Sequence, residues 1–240
     1  MLSRNITIFT ALVGCVLPIY VFAADMSPGK VFKDCEACPE MVVIPSGGFQ
    51  MGDESNGNEK KTYRVDFDRN FAIGKYEITQ AQWRAFVGQN PSKFSGDQNP
   101  VEQVSWNDVQ AYIRKLNAKT GQTYRLLTQA EWEYVAQAGT TPNYLERESS
   151  TVPVGRFQPN AFGVYDMHGN VWEWVDGCYR DHHADAATNS SAKQKNYVCV
   201  CGKRDDSWSL PRVLQPAKRD ASNRKSFRDS RLGFRLARAL

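Results

Sequence analysis

The sequence predicts an α+β domain with little regular secondary structure, on three observations. Short apolar or alternating segments fill residues 41–78 at strand spacing, and three capped helical periods follow between 79 and 136. From about Gly139 to the end, turns outnumber any helical period. No internal repeat and no second domain boundary is visible.

Taken in order, residues 25–40 read as a linker ending in Cys35 and Cys38. Met41-Val42-Val43-Ile44-Pro45 is a short apolar strand running into a Ser46-Gly47-Gly48 turn. Phe49 to Gly52 forms a second strand, and the polar stretch Asp53 to Lys61 a loop. Tyr63 to Phe67 alternates as a half-buried strand does, and Phe71 to Ile78 repeats the pattern. Thr79 is a helix N-cap whose capping box closes at Gln82, and the helix to Gly88 carries Trp83, Phe86 and Val87 on one face. Ser105 starts a second helix, with Asp108 in its first turn and Val109, Tyr112, Ile113 and Leu116 at helical spacing. Thr128 and Glu131 box the third, which buries Trp132, Val135 and Ala136.

Residues 1–24 read as a secretory signal. Arg4 precedes a largely apolar run from Ile6 to Ala24 with small residues at its exit. A membrane anchor fits less well, because the run is short for a span and Pro18 interrupts it. Leu12-Val13-Gly14-Cys15 resembles a lipid-attachment box, but processing there would leave the apolar residues Val16 to Ala24 exposed. A soluble exported protein, periplasmic and with no stable membrane span, is therefore expected. Cleavage leaves about 215 residues, enough for one domain with a sizeable core. The net charge of +4 is mild, and export argues against nucleic acid as a partner.

Five cysteines remain: Cys35, Cys38, Cys178, Cys199 and Cys201. Oxidising conditions favour pairing of neighbours. Cys35 and Cys38 could close a small loop, and Cys178 could take Cys199 or Cys201, leaving one thiol over. Zinc is a weaker reading, since the 199–201 spacing is too short for the usual knuckle and no histidine lies at a ligand spacing.

Several long motifs, in order, resemble the formylglycine-generating enzyme (sulfatase-modifying factor) family. They are Met41 to Gly52; Tyr76-Glu77-Ile78-Thr79 with Trp83; Pro100 to Trp106; Arg125 to Glu133; and Asn160 to Trp174, closed by Leu232 to Arg238 as a terminal strand. The resemblance covers nearly all of residues 41–240 and implies the family's variant of the C-type lectin-like fold. It also implies a calcium ion held by Asp166, the carbonyls of Gly169 and Val171, and Glu173. Oxygen donors separated by carbonyls across a glycine turn suit that ion; the competing reading is that both acids cap turns or pair with arginines. Trp172 and Trp174 read as core residues. The family's second calcium site draws on the segment that is here the short Gly139 to Phe157, and it is expected to be missing.

The family's oxidase binds copper through two cysteines that follow a Gly-Gly-Ser-Trp type motif. Here the corresponding residues are Asp205-Asp206-Ser207-Trp208, and the cysteine positions fall on Leu210 and Gln215. Neither can act as the soft thiolate that copper(I) requires, so no copper is expected. The two aspartates add bulk and charge where glycines would let a backbone approach closely. Other members often place a structural disulfide partner before this motif, where Cys199 and Cys201 lie. His168, His182 and His183 read as surface residues and do not replace the iron-binding histidines of related sulfoxide synthases.

The expectation is thus a non-catalytic periplasmic protein that binds a protein partner. The resemblance suggests a type VI secretion accessory or regulator, or an immunity protein that blocks a toxin. Its surface is expected in the region from Tyr179 to Arg231, including Asp205, Asp206, Trp208, Arg212, Lys218 and Arg219. The competing reading of these basic residues is ion pairing within the fold, for example with Asp220 and Asp229. An enzyme of altered chemistry, such as siderophore maturation, and a ligand- or sugar-binding module are the alternatives.

Overall fold

A computed structural model describes residues 26–51, 63–138, 150–176, 198–201 and 225–240. The order of elements is β1 (Val31–Phe32), β2 (Met41–Ile44), β3 (Gly47–Met51), β4 (Tyr63–Phe67), β5 (Phe71–Gly74), α1 (Gln80–Val87), α2 (Trp106–Thr120), β6 (Tyr124–Leu126), α3 (Gln129–Ala136), β7 (Trp172–Asp176), β8 (Val198–Cys201), β9 (Leu232–Gly233) and β10 (Leu236–Arg238).

Met41 to Ile44 is apolar throughout because β2 is covered on both faces. It lies second in a five-stranded sheet of order β1-β2-β5-β10-β6. Successive side chains of a strand point to opposite faces. Met41, Ala72, Leu126 and Leu236 accordingly join a cluster with α1 and α2, built on Trp83, Tyr112 and Phe234. Val42, Ile44, Ile73 and Ala237 join a second cluster with α3 and the β3–β4 pair, built on Phe49, Trp132 and Tyr134. The sheet is thus the wall between two cores. A smaller sheet, β8-β7-β9, stands beside it.

All three expected helix starts are present. Thr79, Ser105 and Thr128 each accept from the backbone N–H three residues on, and Gln82, Asp108 and Glu131 return the bond to the cap's own N–H. Gly121, in the left-handed region, ends α2.

Three readings need correction. Residues 25–40 are no linker over their described part: β1 pairs with β2, Cys38 is wholly buried, and Asp34 pairs with Arg238 while accepting the Tyr124 hydroxyl. Gly47 and Gly48 belong to β3, paired with Phe67 and Asp66 of β4, and form no turn. The closing segment is not one strand: β9 runs parallel to β7, whereas β10 lies between β5 and β6. Among the described residues no helix is long and apolar enough to cross a membrane.

Candidate functional site: a buried acidic cluster

Four charged side chains from four parts of the chain meet where the two sheets adjoin. Glu77 lies between β5 and the N-cap of α1, Asp166 opens the turn before β7, Glu173 is on β7, and Arg235 sits at the break between β9 and β10. Burial is nearly complete: Arg235 is 0% exposed, Glu77 and Glu173 1%, and Asp166 4%.

The break in the closing segment is what delivers Arg235. Gly233 pairs with Glu173 in the β7–β9 ladder, and a Cβ there would stand 2.6 Å from the Val101 carbonyl oxygen, so only glycine lets the chain pass. The Phe234 carbonyl then accepts from Ile78 N–H, and Arg235 turns inward. Its Nε and Nη2 donate to Glu173 Oε1 at 2.8 and 2.7 Å, and Nε also reaches Oε2 at 2.8 Å. Trp132 Nε1 donates to Oε2 at 2.9 Å. Arg235 Nη1 donates to the carbonyls of Tyr165 at 3.0 Å and Gly74 at 3.4 Å. Burial works against the guanidinium's charge, but Glu173, Glu77 and Asp166 around it outweigh that and raise its pKa.

Asp166 takes a left-handed backbone, φ +60°, as does Asn170 at +59°, and aspartate and asparagine bear this better than most residues. Its Oδ2 accepts from Gly155 N–H at 2.6 Å and its Oδ1 from Phe157 N–H at 3.4 Å, so a loop from 155 to 157 folds over the carboxylate. Gly155 is itself left-handed, φ +78°, and a Cβ there would meet the Tyr76 ring at 2.7 Å. Desolvation raises the Asp166 pKa against the pull of the Gly155 amide and Arg235.

Glu77 differs from its neighbours. No N–H or hydroxyl of another described residue donates to its carboxyl, which lies within hydrogen-bonding reach of the Asp166 carboxyl. Desolvation first, then the negative charge of Asp166, hold its pKa well above the ordinary carboxylate range, with Arg235 opposing. Three acids against one arginine give the cluster two net negative charges when all are ionised. Burying uncompensated charge is expensive, so the arrangement calls for a proton held between Glu77 and Asp166 or for a further positive charge.

The chemistry of the donors fits a hard divalent cation in part. Asp166 keeps lone pairs beyond its two amide bonds and Glu77 receives no N–H from another described residue, but Glu173 is taken up by Arg235 and Trp132. Among the described residues no group of three or more His, Cys, Asp or Glu forms a ready-made metal cage, so backbone carbonyls and water would have to complete such a site. The candidates for the carbonyls are Gly169, whose N–H donates to the Asp166 carbonyl at 3.3 Å, and Val171.

Other expected site residues fall as follows. Cys35 and Cys38 form a disulfide. Cys199 and Cys201 occupy β8, in register with Val175 and Glu173. Cys178, His182, His183, Asp205, Asp206, Trp208, Leu210, Arg212, Gln215, Lys218 and Arg219 lie outside the described residues. His168 is half-buried rather than a surface residue, its Nε2 donating to the Ala136 carbonyl at 2.8 Å. Trp174 is a core residue, but Trp172 is only half-buried and carries the Arg231 guanidinium 5.3 Å above its ring. For two members of the C-terminal basic cluster, pairing within the fold is what the structure shows: Arg228 with Asp108 and Arg231 with Asp229. Sequence reasoning missed Glu77, Arg235 and Gly155 as site residues. The signal was a charge inside an apolar run, Glu77 before Ile78 and Arg235 between Phe234 and Leu236.

Comparison with known proteins agrees with this architecture. The Sulfatase-modifying factor enzyme 1-like domain matches residues 27–240. The "Chaperone protein LppX" of Paenibacillus barcinonensis is 28% identical, over 83% of this chain and 90% of its own. The formylglycine-generating enzyme of Mycobacterium tuberculosis is 34% identical over 44% of this chain, which spans only 42% of that enzyme. Among solved structures, PvdO from Pseudomonas aeruginosa superposes with a TM-score of 0.67 at 33% identity, covering 89% of this chain and 99% of PvdO. The chain belongs to the sulfatase-modifying factor family, with the α+β fold of the formylglycine-generating enzyme.

Proposed function

We propose that this protein is a non-catalytic member of its family that works outside the cytoplasm by binding another protein, with a calcium ion stiffening the turn around Asp166. One observation carries the non-catalytic reading: the positions of the family's copper-binding cysteines hold Leu210 and Gln215. An aliphatic chain and an amide supply no thiolate, and copper(I) is held by soft sulfur ligands. The likeness to LppX, a relative named a chaperone over nearly the same span, supports a binding role. The apolar segment before Asp25 supports export to the periplasm.

Calcium supplies charge compensation and a rigid turn here, not a reaction step. Asp166 would hold it, Gly155 and Phe157 amides orient that carboxylate, and Arg235 keeps Glu173 in place. The protein partner is read as a component of type VI secretion or a toxin, met by the surface that includes Asp205, Asp206, Trp208, Arg212, Lys218 and Arg219.

The test uses the mature chain purified from periplasm. Metal analysis should find no stoichiometric copper, and a cysteine-containing sulfatase-type peptide supplied with copper should remain unoxidised. Turnover or one bound copper per chain would overturn the reading. Affinity capture from periplasmic extract should return one partner whose retention drops when Asp205 and Asp206 are replaced by glycine.

A further inference from the structure

We propose that the Cys35–Cys38 disulfide is a reducible latch: a dithiol opens it in the folded protein by attack at Cys35, and opening loosens the N-terminal strand from the sheet. The inference goes beyond the binding role above and is independent of the calcium reading.

The two sulfurs differ in access. Cys38 is wholly buried in the cluster built on Trp83, Tyr112 and Phe234, whereas Cys35 is half-buried and packs at that cluster's rim. An incoming thiolate therefore meets Cys35 Sγ first, and access is one of the factors that decide which sulfur is attacked. The bond closes a loop with only Glu36 and Ala37 between the cysteines, already folded by Cys38 N–H donating to the Cys35 carbonyl at 3.1 Å. So short a loop constrains the unfolded chain least, which makes the bond a weak staple for the domain as a whole. Nor do the neighbouring acids bar an anionic attacker. Asp34 is paired with Arg238 and Glu40 with Lys75, which leaves the exposed Lys33 and Glu36 to balance in the same segment.

What the bond holds is local. β1 meets β2 through two register pairs, extended by Gly29 N–H to the Val43 carbonyl at 2.8 Å and Val43 N–H to the Lys30 carbonyl at 2.9 Å. Past β1, Asp34 pairs with Arg238 at 2.8 Å and Phe32 lies under the same guanidinium. By tying Cys35 to the core-bound Cys38, the disulfide keeps Asp34 and Phe32 against Arg238. Exchange takes two steps. A thiolate of the dithiol attacks Cys35 Sγ; the Cys35–Cys38 bond breaks, and its electron pair leaves on the Cys38 sulfur, which takes a proton. The second thiol, deprotonated, then attacks the reductant's own sulfur in the mixed disulfide. Cys35 leaves and is protonated, and the reductant departs as an internal disulfide, having given the protein two electrons and two protons. Charge on the buried Cys38 sulfur is costly, so the first step reverses readily and the second thiol is what completes the opening.

The experiment treats the mature chain with dithiothreitol in the absence of denaturant, quenches in acid, and alkylates every free thiol before mapping peptides. Mapping reads Cys35 and Cys38 apart from Cys178, Cys199 and Cys201. Both Cys35 and Cys38 should be alkylated while the treated protein still melts cooperatively. A brief exposure to reduced glutathione, quenched the same way, should leave its mixed disulfide on Cys35. Amide exchange at Gly29 and Val43 should quicken by about tenfold or more in the reduced protein, with the amides of β5 and β10 unchanged. The double variant Cys35→Ser with Cys38→Ser has no latch to open, and should show the same fast exchange without any reductant, which separates this bond from any other disulfide. Three results would each overturn the inference: a bond that opens only in denaturant, a glutathione adduct on Cys38, or a reduced chain whose Gly29 and Val43 amides exchange as slowly as before.

Discussion

Replacing Arg235 by methionine keeps much of its volume and removes its charge, so the variant isolates what the guanidinium does. Among the described residues Glu173 would keep Trp132 alone as a donor, beside Glu77 and Asp166, in a region closed to water. Breaking a buried ion pair from one side costs about 3–5 kcal/mol, because the remaining charge is uncompensated. Urea denaturation at pH 7 should show Arg235→Met with a midpoint lowered to that extent. Arg235→Lys should recover little, since an ammonium cannot reproduce the fork that holds Glu173 and two carbonyls at once. A second residue sets a pH dependence. Glu133 on α3 is 5% exposed; its Oε1 accepts from Gln129 Nε2 at 2.8 Å and its Oε2 has no partner among the described residues. Burial pushes its pKa up to about 7, against the Gln129 bond, from 4.5 for a free glutamate. A carboxyl whose folded pKa exceeds the unfolded one favours the folded state below the unfolded value and loses that contribution as pH rises through the folded value. Stability should therefore decline between about pH 4.5 and pH 7, by up to roughly 3 kcal/mol from this group. Glu133→Gln should flatten that decline, measured as Tm against pH; an unchanged profile would show that Glu133 does not set it.

At the scale of elements, Gly233→Ala tests the passage that brings Arg235 inward. The added methyl would press on the Val101 backbone, which cannot swing aside as a side chain could, so the variant should lose about 1–3 kcal/mol in thermal unfolding. This element also marks where reading the sequence stopped. The helices were legible, because Thr79–Gln82, Ser105–Asp108 and Thr128–Glu131 write their own boundaries within three residues. Leu232 to Arg238 was legible as extended chain, but its division between two sheets follows from β7 and from β5 and β6, all at least 56 residues away in sequence. The two-residue β1 was hidden for the same reason, since Val31 and Phe32 carry no periodicity and are strand only because Val42 and Met41 pair with them. The Asp166 turn was readable as an oxygen-rich loop. That Glu173 would be claimed by Arg235, and Glu77 set against Asp166, depended on side chains more than 60 and up to 158 residues apart.

On the scale of the whole molecule, the sheet that divides the two cores is closed by the last strand of the chain. β10 lies between β5 and β6, and its Leu236 and Ala237 are wholly buried, one in each cluster. Without it β6 loses its strand partner, β5 loses one of two, and both clusters lose a wall. The N-terminal β1 segment is also held from this end, through the Arg238–Asp34 ion pair and the stacking of Arg238 over Phe32 at 4.9 Å. Contacts this distant in sequence form slowly and reward the chain only once the intervening loops are closed. A chain ending at Arg235 should therefore lack cooperative unfolding altogether, where removing a short terminal strand from a sheet edge would cost a few kcal/mol. Circular dichroism during heating should show no sharp transition, and amide exchange should show no protected core. Cooperative melting of the truncated chain would mean that β5 and β6 close the sheet without β10.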